Sequence, residues 1–228
     1  MADPKVPEAI AVEGVRARKK RLMRRQLSDT ATAMFLARGF DAVKVSEVAA
    51  ACGVSEKTVF NYFPSKEALI LDRLEPAVDS ICDSLAAAQN APVATFSELL
   101  ERETRGITAS LSAGNAQDAA RIRRFGVLLR NTPALRAYQS EMMGHVAAAI
   151  AATLATRAGL TADDPEPQIA AHALLSLWRV QADSLHRHLT ENPRPELVYD
   201  AVIADVRRAA RLLEIGLGAW VPDERTLL

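Results

Sequence analysis

One stretch, KVSEVAAACGVSEKTVFNYFPSK from Lys44 to Lys66, restricts what this chain can fold into more than any other. Ser46 to Cys52 reads as a short helix with Val48, Ala49 and Ala51 apolar and Val45 just before it. Gly53 then supplies the left-handed conformation that ends a helix without steric penalty. Ser55 stands as the N-cap of a second helix, Glu56 to Tyr62, whose Val59 shares a face with Val54 and Phe63. Pro64 stops that helix, and Ser65 caps a third that opens with Glu67 and Ala68. Helix, glycine turn and short helix make a helix-turn-helix unit, here residues 44–63. The second helix of such a unit can enter the major groove of DNA.

The run GFDAVKVSEVAAACGVSEKTVFNYFPSKEALI closely resembles the N-terminal DNA-binding domain of TetR-type transcriptional regulators. The resemblance rests on Gly39-Phe40 before the second helix, on Val45, Val48 and Ala49 leading into Gly53-Val54-Ser55, and on Phe60, Tyr62, Phe63, Ser65 and Lys66 at the end. It covers roughly residues 21–81. It implies that Lys44, Tyr62 and Lys66 hold phosphates, and that Ser55 and Thr58 lie near phosphate or base edges. Lys57 and Asn61 have the chemistry for base readout, because lysine pairs with guanine acceptors and asparagine binds adenine bidentately. Glu56 can only accept hydrogen bonds, so it reads cytosine or repels phosphate. Phe60 stands where the family often has tyrosine, and Lys44 where it usually has a serine or threonine cap. The lysine can replace that cap only as a point charge.

Before this unit, Arg16, Arg18, Lys19, Lys20, Arg21, Arg24 and Arg25 form a basic run with no acidic residue among them. Arg16, Arg18 and Lys19 are expected to reach the minor groove or pair with phosphates. Residues 1–16 are expected to be a flexible, basic-flanked tail. The first helix runs from about Arg18 to Arg38, with Leu22, Leu27, Ala31, Met34 and Phe35 as its apolar stripe. Cys52 reads as packed apolar volume rather than a redox sensor. The DNA-binding domain is placed at 17–81, and the third-helix run continues through Leu85 with Pro76 kinking it or marking the handover.

Residues 82–228 read as a larger helical domain for effector binding and dimerisation, so the fold class is all-α. Residues 86–94 read as a connection. Helices are expected at Phe96–Leu111, Ala116–Arg130, Leu135–Ala158, about 166–190 and about 195–217. The helix at 166–190 shows two apolar stripes. One holds Ala171, Leu174, Trp178, Ala182, Leu185 and Leu189; the other holds Ile169, Ala173, Leu177 and Val180. The family resemblance implies that the last two helices form a homodimer interface. Phe96, Phe125, Leu129, Tyr138, Met142, His145, Trp178 and His186 are the candidate lining of an effector site, with core packing as the competing reading. Few charges lie among them, so the expected ligand is small and mainly hydrophobic.

Catalysis is not expected. The chain has 4 histidines, His145, His172, His186 and His188; His172 and His186, fourteen apart, could share a helix face, but no cysteine or carboxylate is expected to complete a metal site with them. There is no nucleophile motif and no phosphate-binding glycine loop. No cofactor or metal is expected. Formal net charge is zero, so any attraction to DNA must be local. The 2 cysteines allow no disulfide framework, and no apolar run approaches a membrane span or a signal peptide, so a cytoplasmic setting is expected. The expected function is a sequence-specific regulator that binds double-stranded operator DNA. Repression relieved by a ligand is the leading reading; activation, or non-specific architectural binding, is the alternative.

Overall fold

The computed structural model describes residues 15–71, 75–113, 116–191 and 194–216. The expected tail at 1–14 lies outside them. The chain divides into two units at Asp72/Arg73.

The first unit holds α1 (Val15–Arg38), α2 (Val45–Ala51), α3 (Glu56–Phe60) and α4 (Ala68–Leu71). Leu27, Ala31 and Phe35 recur every fourth residue of α1 and are buried. Burial of side chains like Leu27 and Phe35 stabilises by about 1.5–3 kcal/mol each. Gly39, at φ 87°, ends α1. That turn swings Phe40 back onto Phe35, ring centroids 5.0 Å apart. Val43, Val48, Val59, Phe63 and Leu69 complete the small core.

Leu22, expected on the buried stripe, is 55% exposed, and Met34 is only half-buried. The inner face of α1 begins at about Met23, so Leu22 lies before the stretch that packs on the rest of the unit.

The helix-turn-helix ends are closed by local chemistry. Gly53 takes φ 69°. Its N–H bonds to Ala50 O and that of Val54 to Ala49 O, the paired bonds of a Schellman cap. Ser55 Oγ then accepts from Thr58 N at 3.1 Å. After α3, Ser65 Oγ accepts from Ala68 N at 3.2 Å, and every residue of α4 is buried.

The second unit holds α5 (Glu75–Ala87), α6 (Pro92–Ala113), α7 (Ala116–Asn131), α8 (Pro133–Ala158), α9 (Pro165–Glu191) and α10 (Pro195–Ile215). Pro76 is the second residue of α5. Ile81 and Leu85 belong to this unit's core, so the handover comes before α5 and not at the expected 81/82. Pro92 opens α6, which narrows the expected connection at 86–94.

Helix α10 packs on α9 and α6, while α8 packs on α9 and α5. The shared core gathers Leu85, Phe96, Leu100, Ile150, Leu174, Leu177, Leu189, Val202 and Val206. On α8 the alanines at 147, 151 and 155 alternate with Val146, Ile150 and Leu154, and these small residues let neighbouring helices approach closely. Gly159, at φ 69°, ends that helix.

The buried face of α9 differs from both expected stripes. It runs through Ala171, Leu174, Leu177, Gln181, Ser184 and Leu189, while Ala182 is exposed and Ile169 is 70% exposed. Two polar residues sit inside because each has partners there. Gln181 Nε2 donates to Leu100 O (3.0 Å) and to Thr104 Oγ1 (2.9 Å) of α6. Ser184 Oγ donates to Asp205 Oδ2 of α10 at 2.6 Å.

Candidate nucleic-acid interface and effector domain

On α3, Val59 is buried and faces the core, which turns Glu56, Lys57, Phe60 and the C-cap residue Asn61 outward. These four span an arc of about 140° at the 100° per residue of an α-helix. Thr58 and Tyr62 are half-buried at its edges. Phe60 is 48% exposed, an apolar ring held in water beside polar neighbours.

Ser55 and Thr58 are occupied with each other. Their hydroxyl oxygens lie 2.8 Å apart in addition to the backbone cap. Their first role is thus to start α3. Any contact to phosphate must share those hydroxyls.

Lys44 is the N-cap of α2, in extended conformation, and its side chain has no acceptor to close a reciprocal capping box. Glu47 supplies the other half. Its Oε2 accepts from Lys44 N at 2.7 Å, and its Oε1 meets Arg38 Nη1 at 2.8 Å. Arg38 Nη2 also donates to Ala42 O at 3.1 Å. The Lys44 N–H bond, followed by the Arg38 bond, holds the Glu47 carboxyl below its usual range. The amide end of α2 is therefore already met by a carboxylate, while the exposed Lys44 ammonium remains to meet an external anion.

Lys66 is half-buried, with Nζ 4.3 Å from the Phe40 ring centroid and 5.7 Å from that of Phe35. Arg16, Arg18 and Lys19 are exposed on the first turns of α1. Arg16 stands on a helix rather than on the flexible tail assigned to residues up to 16, and Arg18 and Lys19 stand on the helix expected for them.

In the second unit the candidate lining residues separate. Phe96 is fully buried in the core. Phe125, Leu129, Tyr138, Met142, Trp178 and His186 are half-buried, and His145 is exposed. On α8, His145 stands away from the buried Val146–Ile150 seam.

His186 is the most constrained of the group. Its Nε2 is hydrogen-bonded to Arg130 Nη2 of α7. The guanidinium must donate, so Nε2 accepts and the ring proton sits on Nδ1. That nitrogen is buried without a partner, 2.8 Å from where a Cβ on Gly126 would stand. Burial, then the Arg130 charge, lowers the His186 pKa. Sequence reading singled out His186 but not Gly126, although a glycine inside the apolar run of α7 was the available signal.

A cleft of about 290 Å³ is lined by Arg105, Thr108, Ala109, Ser112, Pro195, Tyr199 and Asp200, between α6 and α10. None of the expected lining residues contributes to it. Beside it, Tyr199 O–H donates to Glu101 Oε1 (2.9 Å), and Arg105 donates to the Tyr199 oxygen (3.0 Å). Arg207 donates to Glu101 Oε2 at 3.1 Å. The Tyr199 bond is the largest cause of a lowered Glu101 pKa, with Arg207 acting in the same direction against desolvation.

Among the described residues, no group of three or more metal-ligating side chains comes together, and no helix is long and apolar enough to cross a membrane.

Residues 27–72 match the family model of bacterial regulatory proteins of the tetR family, and residues 93–218 match that of the MftR C-terminal domain. The chain is 30% identical over 162 residues to a protein of Mycobacterium tuberculosis strain H37Rv named as a mycofactocin biosynthesis transcriptional regulator, MftR. That alignment covers 66% of this chain and 73% of the relative. Among solved structures, FadR of Thermus thermophilus, a TetR-family repressor in complex with lauroyl-CoA, superposes with a TM-score of 0.50 at 23% identity, covering 88% of this chain and 96% of that one. A TetR regulator from Rhodococcus sp. RHA1 gives 0.51 at 22% identity, covering 87% and 99%. At these identities the two structures speak for the fold alone. The relatives are transcriptional regulators rather than enzymes. With the helix-turn-helix geometry of α2 and α3 and both family models matched, the chain belongs to the TetR family of DNA-binding transcriptional regulators and carries an MftR-type C-terminal domain.

Proposed function

We propose that this regulator is a repressor that binds a pseudo-palindromic operator as a homodimer and is released by a small, mainly hydrophobic ligand. The observation that carries the reading is the outward arc of Glu56, Lys57, Phe60 and Asn61 on a helix anchored by buried Val59 and Phe63. In this reading Lys57 and Asn61 contact base edges, and Glu56 selects against phosphate or accepts from cytosine. Lys44, Tyr62, Lys66, Arg16, Arg18 and Lys19 meet the backbone, and Ser55 and Thr58 stand beside it. Two α3 helices would enter successive major grooves about 34–36 Å apart.

Dimerisation through α9 and α10 is supported by apolar side chains left at their surfaces, Ile169 at 70% and Ile215 at 64% exposure. Val198, Val202 and Val206 of α10 are spent inside the chain against α9 and α6. The half-buried Phe125, Leu129, Tyr138, Met142 and Trp178 support an apolar ligand. The likeness to MftR makes promoters of mycofactocin biosynthesis the first DNA to test.

The test is selection of bound duplexes from a random pool at near-physiological salt. A palindromic winner is the expected result, and enrichment of no sequence refutes the operator reading. On the winner, Asn61→Ala should cost about 1–3 kcal/mol and relax preference at one base. Uniform weakening across sequences would refute base readout by Asn61.

A further inference from the structure

The basic run at the start of α1 is exposed, and the helix meets the rest of its unit where that run ends, at Arg24. Arg16 to Leu22 are exposed, and α1 first becomes half-buried at Met23 and Arg24. Arg24 meets the carboxyl end of the recognition helix there. Its Nη1 donates to Tyr62 O at 3.1 Å, and its guanidinium carbon lies 5.0 Å from the centroid of the Phe63 ring. Phe63 itself is buried and bonded through its N–H to Val59 O, so the stacked ring is fixed to α3. A planar cation suits this place. It stacks on an aromatic face, donates in its plane, and meets the negative end of a helix.

Arg24 is thus the contact from which the exposed turns of α1 extend. Eight residues separate it from Arg16, a rise of about 12 Å at 1.5 Å per residue.

We propose that Arg24 is a positioning residue. It holds the first turns of α1 in a fixed direction relative to α3, so that Arg16, Arg18, Lys19 and Lys20 meet phosphates flanking the bases that α3 reads. The inference rests on α3 as the reading helix. It assigns Arg24 no phosphate of its own, although Arg24 belongs to the same basic run.

Two measurements on the full chain and its Arg24→Ala and Arg24→Lys variants decide it. The first needs no DNA. Amide hydrogen exchange at Tyr62 and Phe63 should accelerate on the order of tenfold in Arg24→Ala, while Val48 and Ala49 keep wild-type rates. Unchanged exchange at Tyr62 and Phe63 overturns the proposal, even if the protein selects no operator. The second measures affinity for the selected duplex with long flanks and with flanks trimmed to the half-sites.

Wild type should prefer the long duplex, and Arg24→Ala should lose on the order of tenfold on it and little on the trimmed one. Its salt slope on the long duplex should fall toward the trimmed value. Arg24→Lys keeps the charge but cannot stack and donate in one plane, so it should lose the flank preference as well. Equal losses on both duplexes, a wild type indifferent to flank length, or full rescue by lysine would each overturn the proposal. The last of these would mark Arg24 as a simple phosphate contact.

Discussion

Gly126 lies inside α7, where a glycine normally weakens a helix by about 0.5–1 kcal/mol relative to alanine. Gly144 in α8 is the natural control, because a Cβ there would meet nothing within 4 Å. Gly144→Ala should therefore stabilise by about 0.5–1 kcal/mol. At Gly126 the same change should have the opposite sign. The new Cβ would stand 2.8 Å from His186 Nδ1 and 3.4 Å from both His186 Cε1 and Arg130 Nη1. The imidazole is held at its far nitrogen by Arg130, so it cannot retreat without breaking that bond. Overpacking of this kind costs about 1–3 kcal/mol, which outweighs the helix gain and leaves Gly126→Ala less stable by about 1 kcal/mol. The assay is urea unfolding at one protein concentration, with the slope checked for constancy. In a His186→Ala background the obstruction is gone, and Gly126→Ala should become stabilising. The pH dependence follows from the same geometry. Folding lowers the His186 pKa from 6.5, so the unfolded chain binds the proton more readily. The stability contributed by neutral His186 is complete above 6.5 and is lost as pH falls toward the folded-state pKa. His186→Ala should flatten that part of the profile. If Gly126→Ala stabilises as much as Gly144→Ala, the locked-ring account is wrong.

Further outcomes follow from other interactions. Glu47→Gln should weaken the N-terminal unit above the carboxylate's ordinary 4.5, because the charged form bonds Lys44 N and Arg38. In wild type that contribution is lost as pH falls through the lowered folded-state pKa, and identical pH profiles for the two proteins would contradict the assignment. Replacing Arg16, Arg18 and Lys19 together with alanine should weaken binding to all duplexes and flatten the salt slope by up to about 3, at roughly 0.9 for each phosphate no longer neutralised. An unchanged slope removes these residues from the interface. Gln181→Leu should cost only about 1 kcal/mol, because Thr104 Oγ1 still donates to Leu100 O after the amide is gone. Gln181→Glu places a carboxylate against two buried oxygens and should cost about 3 kcal/mol or more, relieved on acidification. Equal unfolding midpoints for these two variants would show that Gln181 is not held as described.

Several helix ends were legible from residues, because the chemistry that decides them is local. Gly39, Gly53 and Gly159 end helices through their own positive φ. Ser55 starts α3 through a bond three residues away, and Pro133 opens α8 at a site that needs no N–H donor. The outward set on α3 followed for the same reason, since buried Val59 and Phe63 leave only one side of a short helix free. Tertiary structure alone decided which apolar residues are buried and which polar ones join them. Leu22 fits the period of α1 yet faces water, because the module it would pack on begins a turn later. Gln181 and Ser184 are polar yet buried, because Leu100, Thr104 and Asp205 meet them from residues distant in sequence. Periodicity reports which face of a helix is apolar, but burial depends on what other helices bring to that face. Arg24 is a further instance: in sequence it is one more cation in a basic run, and only the arrival of Tyr62 and Phe63 beside it separates it from its neighbours.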